Sequence, residues 1–390
     1  MSANDPRPLG TRQIASALSI GTIALLMIGL QPILLGELVE QKRITLEGVG
    51  IVAMGEIVTV GLGVILGDAL LSLAQLRLVT VLAALVTAVL DVFTAQAAGD
   101  TGFALVRALA GLGEGVLVWV ATCIVVRSAT PDRLAGIFLA AQTLAQAALA
   151  ALLAMAVIPR WGWAGGFAVL AAVTLLAGML SRGLPRAVAP LPSVGESRLP
   201  WSASTVLTLV VVFMQMAAIG SLWAYLEPLG KQVGFDAQTS QTLISGVLLM
   251  QVIGGGVAAL VIRRLGAGST LLAGTVALAA VAIGIHFAPA GATTGFAAMG
   301  AIFGFAWLFL MPFHIRLAFR ADPTGRVAVL VPALQLLGSA FGPLVASFIV
   351  TGEDARPVPM VCAAFAALTV VSLLVLLSRR RGSPALAPNA

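Results

Sequence analysis

Apolar residues run along this chain in long stretches, separated by short clusters of charge, Gly and Pro. Neither strict alternation nor a narrow amphipathic stripe dominates. Twelve stretches are read at about 13–36, 48–70, 77–97, 102–126, 134–158, 163–181, 204–229, 240–262, 270–288, 295–319, 327–350 and 357–377. Crossing a hydrocarbon layer about 30 Å thick takes roughly 20 apolar residues in a helix. Backbone polar groups in lipid must be bonded within their own segment, so each stretch predicts a helix. Gly and Pro recur inside the stretches, as in membrane helices whose small residues let backbones approach. The expected fold class is an all-α polytopic membrane protein with twelve transmembrane helices in two pseudo-symmetric six-helix bundles.

The distribution of charge sets the expected orientation. With both termini cytoplasmic, Arg77, Arg127, Arg133, Arg182, Arg186, Arg263, Arg264, Arg316, Arg320, Arg326 and Arg379 lie at inner ends. Only Lys42, Arg43, Arg160, Lys231 and Arg356 lie at outer ends. The positive-inside rule favours this arrangement, and an odd helix count would scramble it. A multi-pass protein of the cell's inner membrane is expected. The Pro- and Ser-rich stretch at 183–203 reads as a cytoplasmic linker between a first bundle (1–182) and a second with a short basic tail (204–390).

Composition narrows the function classes. Hydrophobic residues make up 59% of the 390 and charged residues 10%, against about 25% charged in soluble proteins. The net charge of +6 does not indicate nucleic acid, because the basic residues sit at span ends without interleaved aromatics. Cys123 and Cys362 lie alone in apolar runs and read as small fillers. The first apolar run is too long for a cleaved signal peptide. Two isolated His, no paired Cys, no H-E-x-x-H and no Gly-rich phosphate loop argue against a membrane enzyme, a metal site or a cofactor. A monomer is expected.

The halves align without gaps. Gly61 and Gly63 fall on Gly254 and Gly256, an offset of 193 residues. Gly102-Phe103-Ala104 falls on Gly295-Phe296-Ala297, and Gly111 on Gly304. Arg127, Arg133 and Gln142 fall on Arg320, Arg326 and Gln335. Parallel six-helix repeats place a binding site between the halves near the bilayer midplane, exposed alternately to each side. The run Arg107-Ala-Leu-Ala-Gly111-Leu-Gly113-Glu-Gly115 resembles the R-x-x-x-G-x-G-x-G motif of the major facilitator superfamily. The resemblance spans nearly the whole chain in helix count, linker and repeat. It implies that fold and secondary transport of a small-molecule substrate. The sequence departs from the family between helices two and three, where Gly67-Asp68 is followed by Ala-Leu-Leu with one basic residue, Arg77. The Gly-Pro-rich motif of many drug–proton antiporters is absent from helix five. Asp68, Arg77, Arg133 and Arg326 are the gating candidates.

Ionisable residues inside spans cost about 2.5–3.5 kcal/mol on insertion scales, so Glu56, Asp91, Arg107 and Glu114 are the proton-coupling candidates. Glu114 lies roughly 18 Å into helix four, near the midplane. Arg107, seven residues earlier, shares its face. Asp91 and Arg107 flank the outer turn at equal depth and can neutralise each other, with Glu56 a rival partner. An Arg107 free of both would suit an anionic substrate. Gln31, Gln142, Gln146, Gln215, Trp223, Tyr225, Trp307 and Gln335 are the substrate-binding candidates. The aromatics among them have a competing reading as lipid-facing or belt residues. Gln142 and Gln335 have one as structural hydrogen-bonding residues. Glu37 and Glu227, at outer helix ends, read as solvated, with gate formation as the alternative, and His314 as interfacial. The leading expectation is proton-coupled transport of a small organic molecule, amphipathic or modestly polar. Proton-independent facilitation and a non-transporting receptor are the alternatives.

Overall fold

The computed structural model describes residues 9–189 and 201–382. Most of the expected linker, including Pro190, Pro192 and Pro200, and the last eight residues lie outside the described residues. Fourteen α-helices account for nearly all the rest, and no strand occurs among the described residues. The first half contains α1 (Thr11–Ala24), α2 (Leu26–Glu40), α3 (Leu46–Leu70), α4 (Leu76–Thr94), α5 (Gly99–Val125), α6 (Pro131–Leu152) and α7 (Ile158–Leu180). The second half contains α8 (Ala203–Ala224), α9 (Leu226–Val233), α10 (Ala237–Val261), α11 (Ala267–His286), α12 (Thr293–Ala321), α13 (Arg326–Ser347) and α14 (Val358–Gly382).

By length and composition, eleven helical stretches among the described residues suffice to cross a membrane. One of them, Arg133–Gly183, is 51 residues long. At 1.5 Å per residue it reaches about 76 Å, enough for two crossings. The expected fifth and sixth helices follow one another with no loop between them, the fifth ending in a π-helical turn at Leu153–Val157. The reversal falls on Gly162, whose φ of 61° and ψ of −163° no bulky residue adopts easily. The second half does this differently: α13 and α14 are separated by an irregular loop at 348–357.

Two crossings are broken. In the first, α1 gives way to α2 at Leu25, and Pro32 follows inside α2. Pro32 has no N–H, so the Ile28 carbonyl one turn back has no backbone donor. In the seventh, α8 gives way to α9 at Tyr225. Pro228 explains that position, because its ring would press on the Ala224 carbonyl of a continuous helix.

Lipid tails are as apolar as Leu, so close packing rather than hydrophobicity joins these helices. The Gly motif shows how. A Cβ at Gly111 would sit 2.6 Å from the Glu56 carbonyl, and one at Gly115 would meet the Val60 carbonyl and, at 2.7 Å, the Gly63 backbone. Gly113 faces the other way, against Thr87 on α4. The alternate glycines thus seat α5 on α3 and α4 together. The repeat preserves this close approach on α12, where Gly304 lies against the Val247 carbonyl and Gly254 against that of Phe305.

The halves meet through α3 on α13 and α6 on α10. At the end expected to face outward they are tied together. Lys231 reaches Glu40 at 2.8 Å, Gln241 donates to Glu37 at 3.0 Å, and the Gly352 N–H donates to Glu47 at 3.0 Å. Gly36 abuts the Glu227 carboxylate, and Gly50 abuts the Pro343 carbonyl and Ser347. Glu37 and Glu227, expected to be solvated, are 6% and 1% exposed because the opposite half covers them. A cavity of about 430 Å³ lies just outside, lined by Glu40, Lys42, Glu227 and Lys231. At the opposite end the contacts of Arg77, Arg127 and Arg316 each stay within one half: Arg77 donates to Leu184 O, Arg127 to Ala189 O and Arg316 to Leu265 O.

Candidate functional site

The four ionisable residues of the first half form one buried cluster. Arg107, fully buried on α5, donates from Nε to Glu56 Oε1 at 2.9 Å and from Nη1 to Asp91 Oδ1 at 2.6 Å. Its Nη2 reaches Glu114 Oε1 at 2.9 Å and also Glu56 Oε1. All three guanidinium nitrogens are thus occupied by carboxylates from α3, α4 and α5. The free Arg107 that an anionic substrate would need does not exist in this arrangement. Asp91 is a partner, as an equal-depth hairpin pairing requires, but Glu56 and Glu114 share the same cation.

The outer rim of the cluster is uneven. Asp91 Oδ2 accepts from Thr174 on α7 at 3.4 Å. Glu56 Oε2 accepts from Gln31 on α2 at 3.2 Å. Glu114 Oε2 is buried and has no hydrogen-bond partner. The Phe167 ring lies 5.5 Å from the guanidinium and closes one side with an aromatic face. Three carboxyls surround one guanidinium in a space that water does not reach. Buried charge that lacks a counter-charge is expensive, and such a group is neutralised rather than held ionised. The cluster therefore sets one fixed cation against three acids.

The second half builds a different polar core. Gln335 Nε2 donates to His314 Nδ1 at 3.1 Å. His314 Nε2 is bonded to Gln215 Oε1, and Gln215 Nε2 to Thr275 Oγ1. Thr275 Oγ1 donates onward to the Leu271 carbonyl at 2.6 Å. With Gln335 as donor to Nδ1, the imidazole is neutral and protonated on Nε2, and every group in the chain is satisfied. His314, expected at the interface, is fully buried. No spacing rule reveals this chain, since its members come from α8, α11, α12 and α13.

Other candidates fall into distinct places. Gln146 Nε2 donates to the Leu25 carbonyl at the α1–α2 break, at 2.7 Å, with its side chain against Gly29. Gln142 has a buried Oε1 without a partner, whereas its repeat mate Gln335 serves His314. Trp223 and Tyr225 are buried at 2% and 0% exposure, not lipid-facing. The Trp223 indole N–H donates to Ile28 O across the halves at 3.0 Å, and its ring stands edge-on to Trp307 with centroids 5.3 Å apart. Asp68 accepts from the Trp119 indole at 3.2 Å, an attachment to α5 rather than to the opposite half. Arg133 is exposed at the start of α6, and Arg326 is half-buried at the start of α13. No group of three or more His, Cys, Asp or Glu suited to a metal occurs among the described residues.

Membrane crossings in two related halves, closed at one end and enclosing a charged cluster, define the class of multi-pass membrane transporters. The chain belongs to the Major Facilitator Superfamily, whose family model matches residues 14–331. Among curated proteins no sequence match was found. Solved structures are similar in fold. The nucleoside transporter NupG superposes with a TM-score of 0.73 at 13% identity, covering 95% of this chain and 100% of that one. A point mutant of that transporter gives 0.74 at 12% identity, covering 93% and 99%. A bacterial homologue of the human lysosomal transporter Spinster, in an inward-facing and occupied conformation, gives 0.65 at 16% identity, covering 98% and 100%.

Proposed function

We propose that this protein is a proton-coupled secondary transporter of the inner membrane, moving a small organic molecule by alternating access. Both termini are cytoplasmic in this reading, the halves divide at the 183–203 linker, and the described arrangement is the one closed to the outside. One observation carries it: three buried carboxyls share a single guanidinium, and one of them, Glu114, keeps an unpartnered oxygen. Glu114 is the carboxyl at which the proton enters and leaves, Glu56, on the same Arg107 nitrogen, shares that proton, and Asp91 keeps the guanidinium fixed. The substrate meets the aromatic and amide surface around Trp307 and Gln142. Nucleosides, the cargo named for NupG, are the first compounds to test, together with other modestly polar amphipathic molecules.

Purified protein in proteoliposomes tests the reading. With an imposed pH gradient, wild type accumulates substrate, and Glu114→Gln abolishes accumulation while retaining substrate exchange. Unchanged proton-driven accumulation in Glu114→Gln eliminates Glu114 as the carrier. Transport that ignores the gradient in wild type favours facilitation.

A further inference from the structure

The turn of α2 around Pro32 touches both halves at once. Gln31, the residue before the proline, donates its Nε2 to Glu56 Oε2 at 3.2 Å and, more weakly, to the Ala53 carbonyl at 3.5 Å. Ile28 lies four residues before Pro32, and its carbonyl is the one the proline leaves without a backbone donor. That vacancy is filled from the other half, by the Trp223 indole at 3.0 Å. Trp223 in turn packs on Trp307. A single helical turn therefore connects the charged cluster of the first half to the aromatic pair of the second.

We propose that Gln31 is a positioning residue that transmits the protonation state of the cluster to the junction between the halves, through the Pro32 turn and the Ile28–Trp223 hydrogen bond. This rests on the proton-coupled reading above and assigns the route by which the proton acts on the outer seal. The chemistry of the amide makes the route specific. When Glu56 Oε2 is ionised it accepts from the Gln31 NH₂ group. When it carries a proton it becomes a donor, and Gln31 must present its carbonyl oxygen instead. The flipped amide then points an oxygen at the Ala53 carbonyl and loses that second bond. The turn has to move, and with it the Ile28 carbonyl that Trp223 grips.

The charged groups facing Glu56 are few. Arg107 and Glu114 approach from α5 and Asp91 from α4. Gln31 is the α2 contact. From Val327 to Ser347, α13 carries no ionisable side chain, and neither does α8 from Ala203 to Ala224. A pH response relayed at this turn thus originates in the cluster.

The experiment measures the separation of the outer ends by spin labels at Gln96 and Gln238, both exposed and one in each half, in nanodiscs across a pH series. Wild type is expected to change its distance distribution with pH. Gln31→Leu is expected to fold and to lose that response, with proton-driven accumulation falling at least tenfold and exchange retained. Trp223→Phe keeps the ring packing but not the donor. It should shift the distribution toward wider separation and flatten the pH response, because the last link of the route is gone; an undiminished response overturns the route through Trp223. A wild-type pH response that survives in Gln31→Leu overturns the relay. If that response is abolished by Glu114→Gln, the proton-coupled reading stands and only the route through Gln31 fails. A wild type whose distances ignore pH overturns both. Should Gln31→Leu fold poorly, Gln31→Glu decides instead. It is expected to displace the pH midpoint, and an unmoved midpoint overturns the relay.

Discussion

The two halves of this protein share a backbone plan and differ in what they bury. Both bring the fourth helix of the half against the second through glycines, at Gly111 and Gly304. In the first half that scaffold holds a cation and three acids. In the second, the positions matching Arg107 and Glu114 are Gly300 and Trp307. Its polar core is instead a neutral chain centred on His314, reached by Gln215 and Gln335. The difference teaches that the repeat conserves helix-to-helix approach, which is a backbone matter, while side-chain chemistry is free to diverge. It also separates two kinds of polar core. One sets three carboxyls around a single cation, and the other links neutral groups from four helices in a hydrogen-bonded chain.

Three substitutions test that contrast, beginning with the most disruptive. Arg107→Leu removes the only cation from three carboxyls. Breaking a buried pair costs about 3–5 kcal/mol, so thermal unfolding in detergent should show a severe loss, only partly recovered in Arg107→Lys. Exchanging the charges of Asp91 and Arg107 should not rescue it, because Glu56 and Glu114 would then face a carboxylate at 107. A swapped protein as stable as wild type would reduce the cluster to a simple Asp91–Arg107 pair.

His314→Phe in the second half should cost less. Gln335 and Gln215 each lose a partner, at about 1–3 kcal/mol per unsatisfied buried group. Transport slows through instability, but its pH profile should keep the wild-type midpoint, unlike that of Glu114→Gln. A shifted midpoint in His314→Phe would make the neutral chain part of the coupling machinery and erase the contrast.

The smallest effect belongs to an inner loop of the second half. The Thr324 hydroxyl, then the Val327 N–H, hold the Asp322 carboxyl below the usual carboxylate range. A depressed folded value contributes stability above the unfolded titration, and that contribution fades as pH falls through the folded one. Asp322→Ala should therefore loosen the first turn of α13 near neutral pH, and the difference from wild type should shrink in acid. Hydrogen exchange of the Val327 amide reads this. A difference independent of pH would assign Asp322 a purely steric role.

Much of the fold was legible from the sequence because lipid imposes one rule on every segment. A long apolar run must be a helix, and the positive-inside bias then gives its direction. Arg107, Asp91, Glu56 and Glu114 stood out for a related reason: charge is so costly inside a bilayer that its presence needs an explanation. The Gln residues did not sort themselves. Gln31, Gln146 and Gln215 read as surfaces for substrate, and Gln335 also as a structural hydrogen-bonder, and each has a partner inside the protein. An amide is cheap enough to occur anywhere, so its role depends on neighbours that sequence spacing does not supply. For Glu37 and Glu227 the structure sets aside the solvated reading, because a helix end looks exposed in sequence until the other half closes over it.

Sequence alone determined the helices, the repeat and the glycines at which backbones touch, since these follow from hydropathy and side-chain size residue by residue. Only the tertiary structure decided that one guanidinium serves three carboxyls, that His314 is locked in a neutral chain, and that Trp223 answers the carbonyl exposed by Pro32. Those facts depend on which atoms of distant helices arrive within about 3 Å of each other. In a bilayer, where hydrophobicity does not choose between helix partners, close packing and interhelical hydrogen bonds make that choice.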